Sequence, residues 1–140
     1  QTCALPISLL VASFNSDTTY SNYRSHTLEG NGSSVSTQTL QQSGFYIFSG
    51  DLTTSAGSYA NMFAATIVDI LDYTNTNKFK VIRSFGGYDD NGAGNINLFS
   101  GLWRSTSAIT SISITPNNGG SGSTTFPQYS HFALYGIRGA

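Results

Sequence analysis

The sequence predicts an all-β protein, folded as an antiparallel β-sandwich of seven or eight short strands with jelly-roll character. Charged residues make up only 9% of the 140 residues and aromatic residues 13%, whereas helical proteins rely on Lys and Glu for their solubility. Short runs of β-branched and aromatic residues recur along the chain, and turns rich in Gly, Asn and Ser separate them. The length is that of one domain.

The first half of the chain carries two to four weakly marked strands. The apolar run SLLVASF (8–14) and the aromatic run FYIFSGDL (45–52) are the clearest candidates. The stretch 15–42 between them is polar, and within it TYSNYRSHTLE (19–29) is expected to hold one strand.

From residue 62 the strand pattern is stronger. The Ala-rich run MFAATIVDILDY (62–73) fits a short helix or a strand, and its β-branched residues, such as Thr66 and Val68, favour the strand. In KFKVIRSFGGY (78–88) two sets of side chains alternate with the period of two that marks a strand. One set contains Phe79 and Phe85, and the other contains Lys80, Ile82 and Ser84.

Three further strands are predicted after residue 90. NINLFSGLWRS (95–105) returns from a turn, and AITSISITP (108–116) ends at Pro116, which has no N–H for a ladder. After a long loop, HFALYGIRG (131–139) is expected to be the last strand. Both of its faces are apolar, as in a central strand or one that a neighbouring subunit covers.

The segment DDNGAGN (89–95) favours a tight hairpin turn, because its Asn-Gly pair accepts positive φ. Its oxygen-bearing side chains also leave a calcium loop as an alternative. The spacing argues against that alternative, since Ala93 stands where an EF-hand loop requires its fifth-position ligand.

No catalytic, cofactor-binding or metal-binding residue is predicted, and the chain is expected not to be an enzyme. The acids Asp69 and Asp72 would point to opposite faces of one strand, so they make a poor catalytic pair. His26, His131 and Cys3 do not have zinc-ligand spacing. The net charge of -1, with scattered basic residues, argues against nucleic acid as a partner. No apolar run is long enough to span a membrane.

Four aromatic residues are candidates for ligand contacts. Trp103, together with Tyr73, Tyr88 and Tyr129, would suit a sugar-stacking platform, because flat rings pack against the C–H faces of sugars. The competing interpretation places Trp103 in the core or in a subunit interface, where large aromatic residues dominate burial.

The C-terminal half resembles a group of small bacteriophage virion proteins. The matching pieces are the run DYTNTNKFKVIRSFGG, the segment SGLWRSTSAITSI and the terminal FALYGI, within residues 64–139. The resemblance implies a non-enzymatic β-sandwich module on the surface of the virion, in a tail fibre, a receptor-binding tip or a capsid decoration. It implies a homo-oligomer, with a trimer favoured, in contact with other virion proteins and with a host-surface glycan as a further candidate partner.

Two other functions stay open at this point. A secreted carbohydrate-binding module would use exposed coplanar aromatic rings. A phage-associated glycan depolymerase would need two facing carboxylates.

The first seven residues, QTCALPI, have a separate interpretation. The codons CAG ACG TGT GCT CTT CCG ATC encode them, and this DNA matches the end of a widely used sequencing-library adapter. Such segments are excluded from fold reasoning. We therefore expect residues 1–7 to be non-native and a single β-sandwich domain, from a metagenomic phage sequence, to span residues 8–140. Cys3, the only cysteine, then has no role.

Overall fold

A computed structural model of the protein describes residues 9–49, 63–89, 91–117, 126 and 129–137. Within these residues the chain forms eight β-strands and a single turn of 3-10 helix, so the all-β class is confirmed. The strands are β1 (Leu9–Phe14), β2 (Tyr23–Gly30), β3 (Val35–Leu40), β4 (Phe45–Ser49), β5 (Ala65–Ile70), β6 (Lys80–Asp89), β7 (Gly94–Trp103) and β8 (Ile112–Asn117). The adapter-like residues 1–7 lie outside the described residues.

The strands form two antiparallel sheets. One has three strands in the order β4-β1-β8, and the other has five in the order β3-β2-β7-β6-β5. The first strand pairs with the eighth and the second with the seventh, a nested pairing of jelly-roll character. Strands β5, β6 and β7 form a simple meander. The predicted antiparallel sandwich is therefore confirmed.

The hairpin between β6 and β7 turns where the sequence predicts it. Asp89 and Gly94 are the last paired residues, and Asn91 (φ 48°) and Gly92 (φ 133°) have positive φ between them. Asn and Gly are the residues that accept this backbone region most easily. The strand preference for the Ala-rich run is confirmed as well, since β5 covers Ala65–Ile70.

The strand expected within residues 19–29 is confirmed as β2, and a further strand of the polar stretch, β3, adds to it as an exposed edge strand. Two expectations about strands were wrong. The strand predicted from residue 108 begins only at Ile112, since the loop before it is held by the Ile109 N–H, which donates to the Tyr73 carbonyl at 2.8 Å. Residues 131–137 of the predicted last strand lie outside both sheets, because no described strand edge pairs with them.

An aromatic cluster fills the space between the two sheets. It is supplied by four different strands, and its buried rings are Phe14, Tyr23, Phe45, Phe48 and Trp103. Phe45 meets Tyr23 edge-on with centroids 5.0 Å apart, and Phe14 packs tilted against Phe45 at 5.4 Å. These geometries are the ones that aromatic pairs prefer. Part of the high aromatic content of the chain is thus accounted for by its core.

Strand β6 buries its less aromatic face. Ile82 and Lys80 point inward, whereas Phe85 on the opposite face is exposed. The alternation of the sequence does not show which of the two faces of β6 is buried, because a shift of one residue in register exchanges the two faces. The pairing decides it: Ile82 lies opposite Gly101, where the missing side chain leaves room for the Phe45 ring.

Lys80 is a buried cation that joins two loops. Its Nζ donates to the carbonyl oxygens of Asn75, Lys78 (2.9 Å) and Thr106 (3.3 Å). A buried charge needs such polar partners. The ammonium therefore ties the loop before β6 to the loop after β7.

Two side-chain hydrogen bonds tie the sheets together at the other end of the core. Asn97 on β7 is fully buried, and its Oδ1 accepts from the Ser49 N–H at 3.0 Å. Thr66 on β5 donates through Oγ1 to the Ile47 carbonyl at 3.1 Å. Both bonds end on β4, so β4 is fixed above the middle of the five-stranded sheet.

Candidate interaction surface

Trp103 lies in the core and does not provide a contact surface. Its side chain is 2% exposed, Tyr23 stacks on it with centroids 6.4 Å apart, and Phe14 meets it edge-on at 5.5 Å. A sugar or a subunit needs an open ring face. The interpretation of Trp103 as a glycan or interface contact is therefore corrected, and its core alternative describes the residue.

The three candidate tyrosines do not come together. Tyr73 and Tyr129 are exposed, whereas Tyr88 is half-buried and packs against the core. Tyr73 lies beside the start of β6 and Tyr88 near its end, which separates them by roughly 26 Å at the rise of a strand. Tyr129 lies apart from both, at a groove beside the C-terminal segment. Trp103, Tyr73, Tyr88 and Tyr129 therefore do not form one sugar-stacking platform.

The candidate acids hold structural partners. Asp69 forms an exposed ion pair with Arg83 at 3.2 Å, and Asp72 occupies a turn with a positive φ of 50°. Asp89 accepts from the Asn91 N–H of its own hairpin turn at 2.8 Å. Within the described ranges, no group of three or more His, Cys, Asp or Glu side chains could hold a metal ion. The neighbouring Asp90, part of the calcium alternative, lies outside the described residues.

Asp17 is the acid whose surroundings are most specific. Its Oδ2 accepts from the Trp103 indole N–H and from the Asn22 side chain, both at 2.8 Å, and its Oδ1 accepts from the Thr19 N–H at 2.9 Å. Desolvation by itself would raise the pKa of Asp17. The hydrogen bonds to the carboxylate outweigh it and lower that pKa from 3.8 to about 2. Asp17 thus fixes the loop before β2 onto the core.

This network predicts an acid sensitivity. Because the folded-state pKa of Asp17 lies below its ordinary value, the charged form stabilises the folded chain above about pH 4, and this contribution disappears as the pH falls through about 2. The carboxylate is partly exposed, so we expect about 1 kcal/mol. Urea denaturation at pH 6, 4, 3 and 2 would measure it against Asp17→Asn as the control. Identical pH dependence in the two chains would contradict the role assigned to Asp17.

The outer face of the five-stranded sheet carries an exposed apolar row. Four side chains lie directly opposite one another on β2, β7, β6 and β5: Leu28, Leu98, Phe85 and Ile67. Their exposed fractions are 46%, 46%, 57% and 70% in that order. We call this set the outer apolar row. Neighbouring strands lie about 4.8 Å apart, so the row runs for about 14 Å.

The outer apolar row is extended on one side and bounded on the other. Val35 and Ile96, both exposed, lie one row further along the strands, where Gly30 separates them. On the opposite side a row of polar residues follows at the same sheet positions: His26, Ser100, Arg83 and Asp69. We call this set the outer polar row. An apolar patch with a polar border is typical of a surface that contacts another macromolecule.

Sequence reasoning missed this surface, although a signal for it was present. Strand β7 places Phe99 and Trp103 inward and Ile96 and Leu98 outward, so both of its faces are apolar. A strand with two apolar faces is expected where both faces are covered. In this chain nothing described covers the outer face, which leaves it available for association.

No family model, curated protein or solved structure matches this chain. Among the described residues, no helix has the length and hydropathy needed to cross a membrane.

Proposed function

We propose that this chain is a non-enzymatic structural subunit of a bacteriophage particle, exposed on the virion as part of a tail fibre, a receptor-binding tip or a capsid decoration. The observation that carries the proposal is the outer apolar row, four exposed side chains aligned across four strands of one sheet. A surface of this kind is characteristic of an assembling subunit. The resemblance of residues 64–139 to small virion proteins directs the proposal to phage particles.

The outer face would be covered by another copy of the chain. The ion pair between Arg83 and Asp69 lies beside the apolar row, so each copy presents both signs of charge next to its apolar contact. A contact of this composition between copies suits a homo-oligomer with cyclic symmetry. The resemblance to phage fibre and decoration proteins favours a trimer. A subunit on the surface of the virion would also contact other virion proteins.

A host-surface glycan stays a candidate ligand of such a particle. Of the four aromatic residues considered, Tyr73 and Tyr129 have exposed rings, so a glycan contact in this chain would use one of those two. Trp103 is excluded from that role by its burial.

The proposal predicts a specific effect of charge on the outer face. Leu98→Asp places a carboxylate at the centre of the outer apolar row, and burial of that charge in an interface is strongly unfavourable. We expect the subunit dissociation constant to rise at least tenfold, which corresponds to about 1.4 kcal/mol. Sedimentation velocity or mass photometry over a concentration series would measure it.

Ser100→Asp is the matched control. Ser100 lies two residues along the same strand, on the same face, in the outer polar row and opposite Arg83. A carboxylate at position 100 would lie opposite the Arg83 guanidinium, which provides a cationic partner, so association should persist. The proposal fails if the unsubstituted chain is monomeric at every concentration and does not bind phage particles. It also fails if the two aspartate variants associate equally.

A further inference from the structure

The sandwich is open along one side. Between edge strand β5 of the five-stranded sheet and edge strand β8 of the three-stranded sheet lies a groove of about 1220 Å³. Core side chains such as Leu10, Phe14 and Ile82 reach into it, and Val68 and Ile114 line its two walls. We call it the β5–β8 groove. Its lining is largely apolar, and both strands beside it have an unpaired edge among the described residues.

The chain carries an apolar segment that belongs to neither sheet of its own sandwich. Residues 131–137 form no strand, and no backbone hydrogen bond joins them to another described residue. Leu134, Tyr135 and Ile137 are 83–92% exposed, and a Cβ added to Gly136 would meet no atom within 4 Å. Among the described residues, the backbone groups of this segment and its most exposed apolar side chains therefore have no pairing strand or covering surface. Such a segment is suited to strand addition at a sheet edge.

The N-terminal end of this segment is held at the opening of the groove. Phe126 packs against the core and meets Phe132 edge-on with ring centroids 4.8 Å apart. Beyond Phe132 the side chains border the groove and stay exposed, so the groove of the same copy remains unfilled. Extended as a strand, residues 131–137 would span about 20 Å, enough to reach a neighbouring subunit.

We propose that residues 131–137 of each copy pair as a β-strand with the free edge of β8 in a second copy and fill its β5–β8 groove. This inference rests on the proposed function, since it names a second contact between the copies, in addition to the outer face. The seven described residues of the segment are enough to pair along all six residues of β8. Addition to β8 makes the three-stranded sheet four-stranded and covers the half-buried inner side of β5.

The alternation of the segment suits this position. Phe132 and Leu134 lie on one face of the extended strand, and Tyr135 and Ile137 lie on the other. One face would fill the apolar groove, while the second would lie at the junction between subunits. A contact between a segment on one copy and a groove on the next is heterologous, and such contacts form a ring when the rotation from copy to copy closes.

Mixed disulfide trapping tests the exchange in the full chain. In a Cys3→Ser background, one preparation carries Thr115→Cys on β8 and a second, with a longer tag, carries Ala133→Cys or Tyr135→Cys. The two segment positions allow for a shift of register. After the two preparations are mixed and mildly oxidised, a disulfide should link the two different chains. In the control, Ser100→Cys replaces Thr115→Cys. The yield of the linked species should be at least threefold higher with Thr115→Cys than in this control. A yield equal to that control overturns the proposal.

A second measurement separates this inference from the proposed function. Leu134→Asp should raise the subunit dissociation constant at least tenfold, as Leu98→Asp does. If Leu98→Asp weakens association and Leu134→Asp does not, the outer face assembles the particle and the segment exchange is refuted. If a single chain carrying both Thr115→Cys and Ala133→Cys forms only an intrachain disulfide, the segment closes its own groove and the exchange is refuted as well.

Discussion

Trp103→Ala is expected to lower the free energy of unfolding by about 3–5 kcal/mol, the range for removal of a buried aromatic side chain. The indole fills the space between Phe14 and Tyr23, and its N–H donates to the Asp17 carboxylate. The substitution leaves a cavity in the aromatic cluster and removes one of the hydrogen bonds that hold the loop before β2. Urea denaturation followed by far-UV circular dichroism would measure the loss, because Trp103 is the only tryptophan and its fluorescence disappears with it.

Trp103→Phe separates the two contributions. The phenyl ring keeps much of the packing and lacks the N–H donor, so the expected loss is smaller, about 1–3 kcal/mol. Trp103→Phe should also raise the pKa of Asp17 from about 2 toward 3.8, because the Asp17 carboxylate loses the hydrogen bond from the indole N–H. A Trp103→Ala variant that unfolds within about 1 kcal/mol of the unsubstituted chain would contradict the burial of this residue.

Gly101→Ala is expected to destabilise the chain by about 3 kcal/mol, although it adds only one methyl group. A Cβ at this position would lie 2.2 Å from Cδ1 and 2.6 Å from Cε1 of Phe45, and 3.0 Å from Cγ1 of Ile82. The Phe45 ring is itself fully buried, so it has no free space into which it could move. Overpacking of a filled core costs about 1–3 kcal/mol and occasionally more. Chemical denaturation would measure the difference.

Gly30→Ala is the matched control. Gly30 ends β2 in the same sheet, and a Cβ there would meet no atom within 4 Å. Its substitution should be neutral or stabilise by up to about 1 kcal/mol, because alanine loses less conformational freedom on folding than glycine. Equal destabilisation by the two alanines would show that the close approach of Phe45 to β7 is not the determining feature.

Local chemistry made several elements predictable. Asn91 and Gly92 accept positive φ wherever they stand in a chain, so the β6–β7 hairpin follows from two neighbouring residues. The β-branched residues of β5 favour extended backbone in the same local way. Low charge and frequent short turns indicated the sandwich class.

The candidate surface was not predictable in the same manner. Leu28 and Ile67 belong to one apolar row because β2, β7, β6 and β5 lie side by side in a particular register, and they are far apart in the chain. Trp103 was left with a contact and a core interpretation for a related reason: a sequence does not show whether the opposite sheet covers a ring. Asp17, which lies 86 residues from its Trp103 partner, carried no signal of its own.

By itself, the sequence determined the β class, the alternating strands β6 and β7 and the turn between them, because these depend on backbone preferences within a few residues. Only the tertiary structure decided which face of β6 is buried, which acid meets the tryptophan and which apolar side chains remain on the surface. Those outcomes depend on strand order and register, and both are set by packing between residues that are distant in sequence. The same reason explains residues 131–137: their pattern is that of a strand, but whether they pair with an edge is decided by tertiary and subunit contacts, not by the pattern.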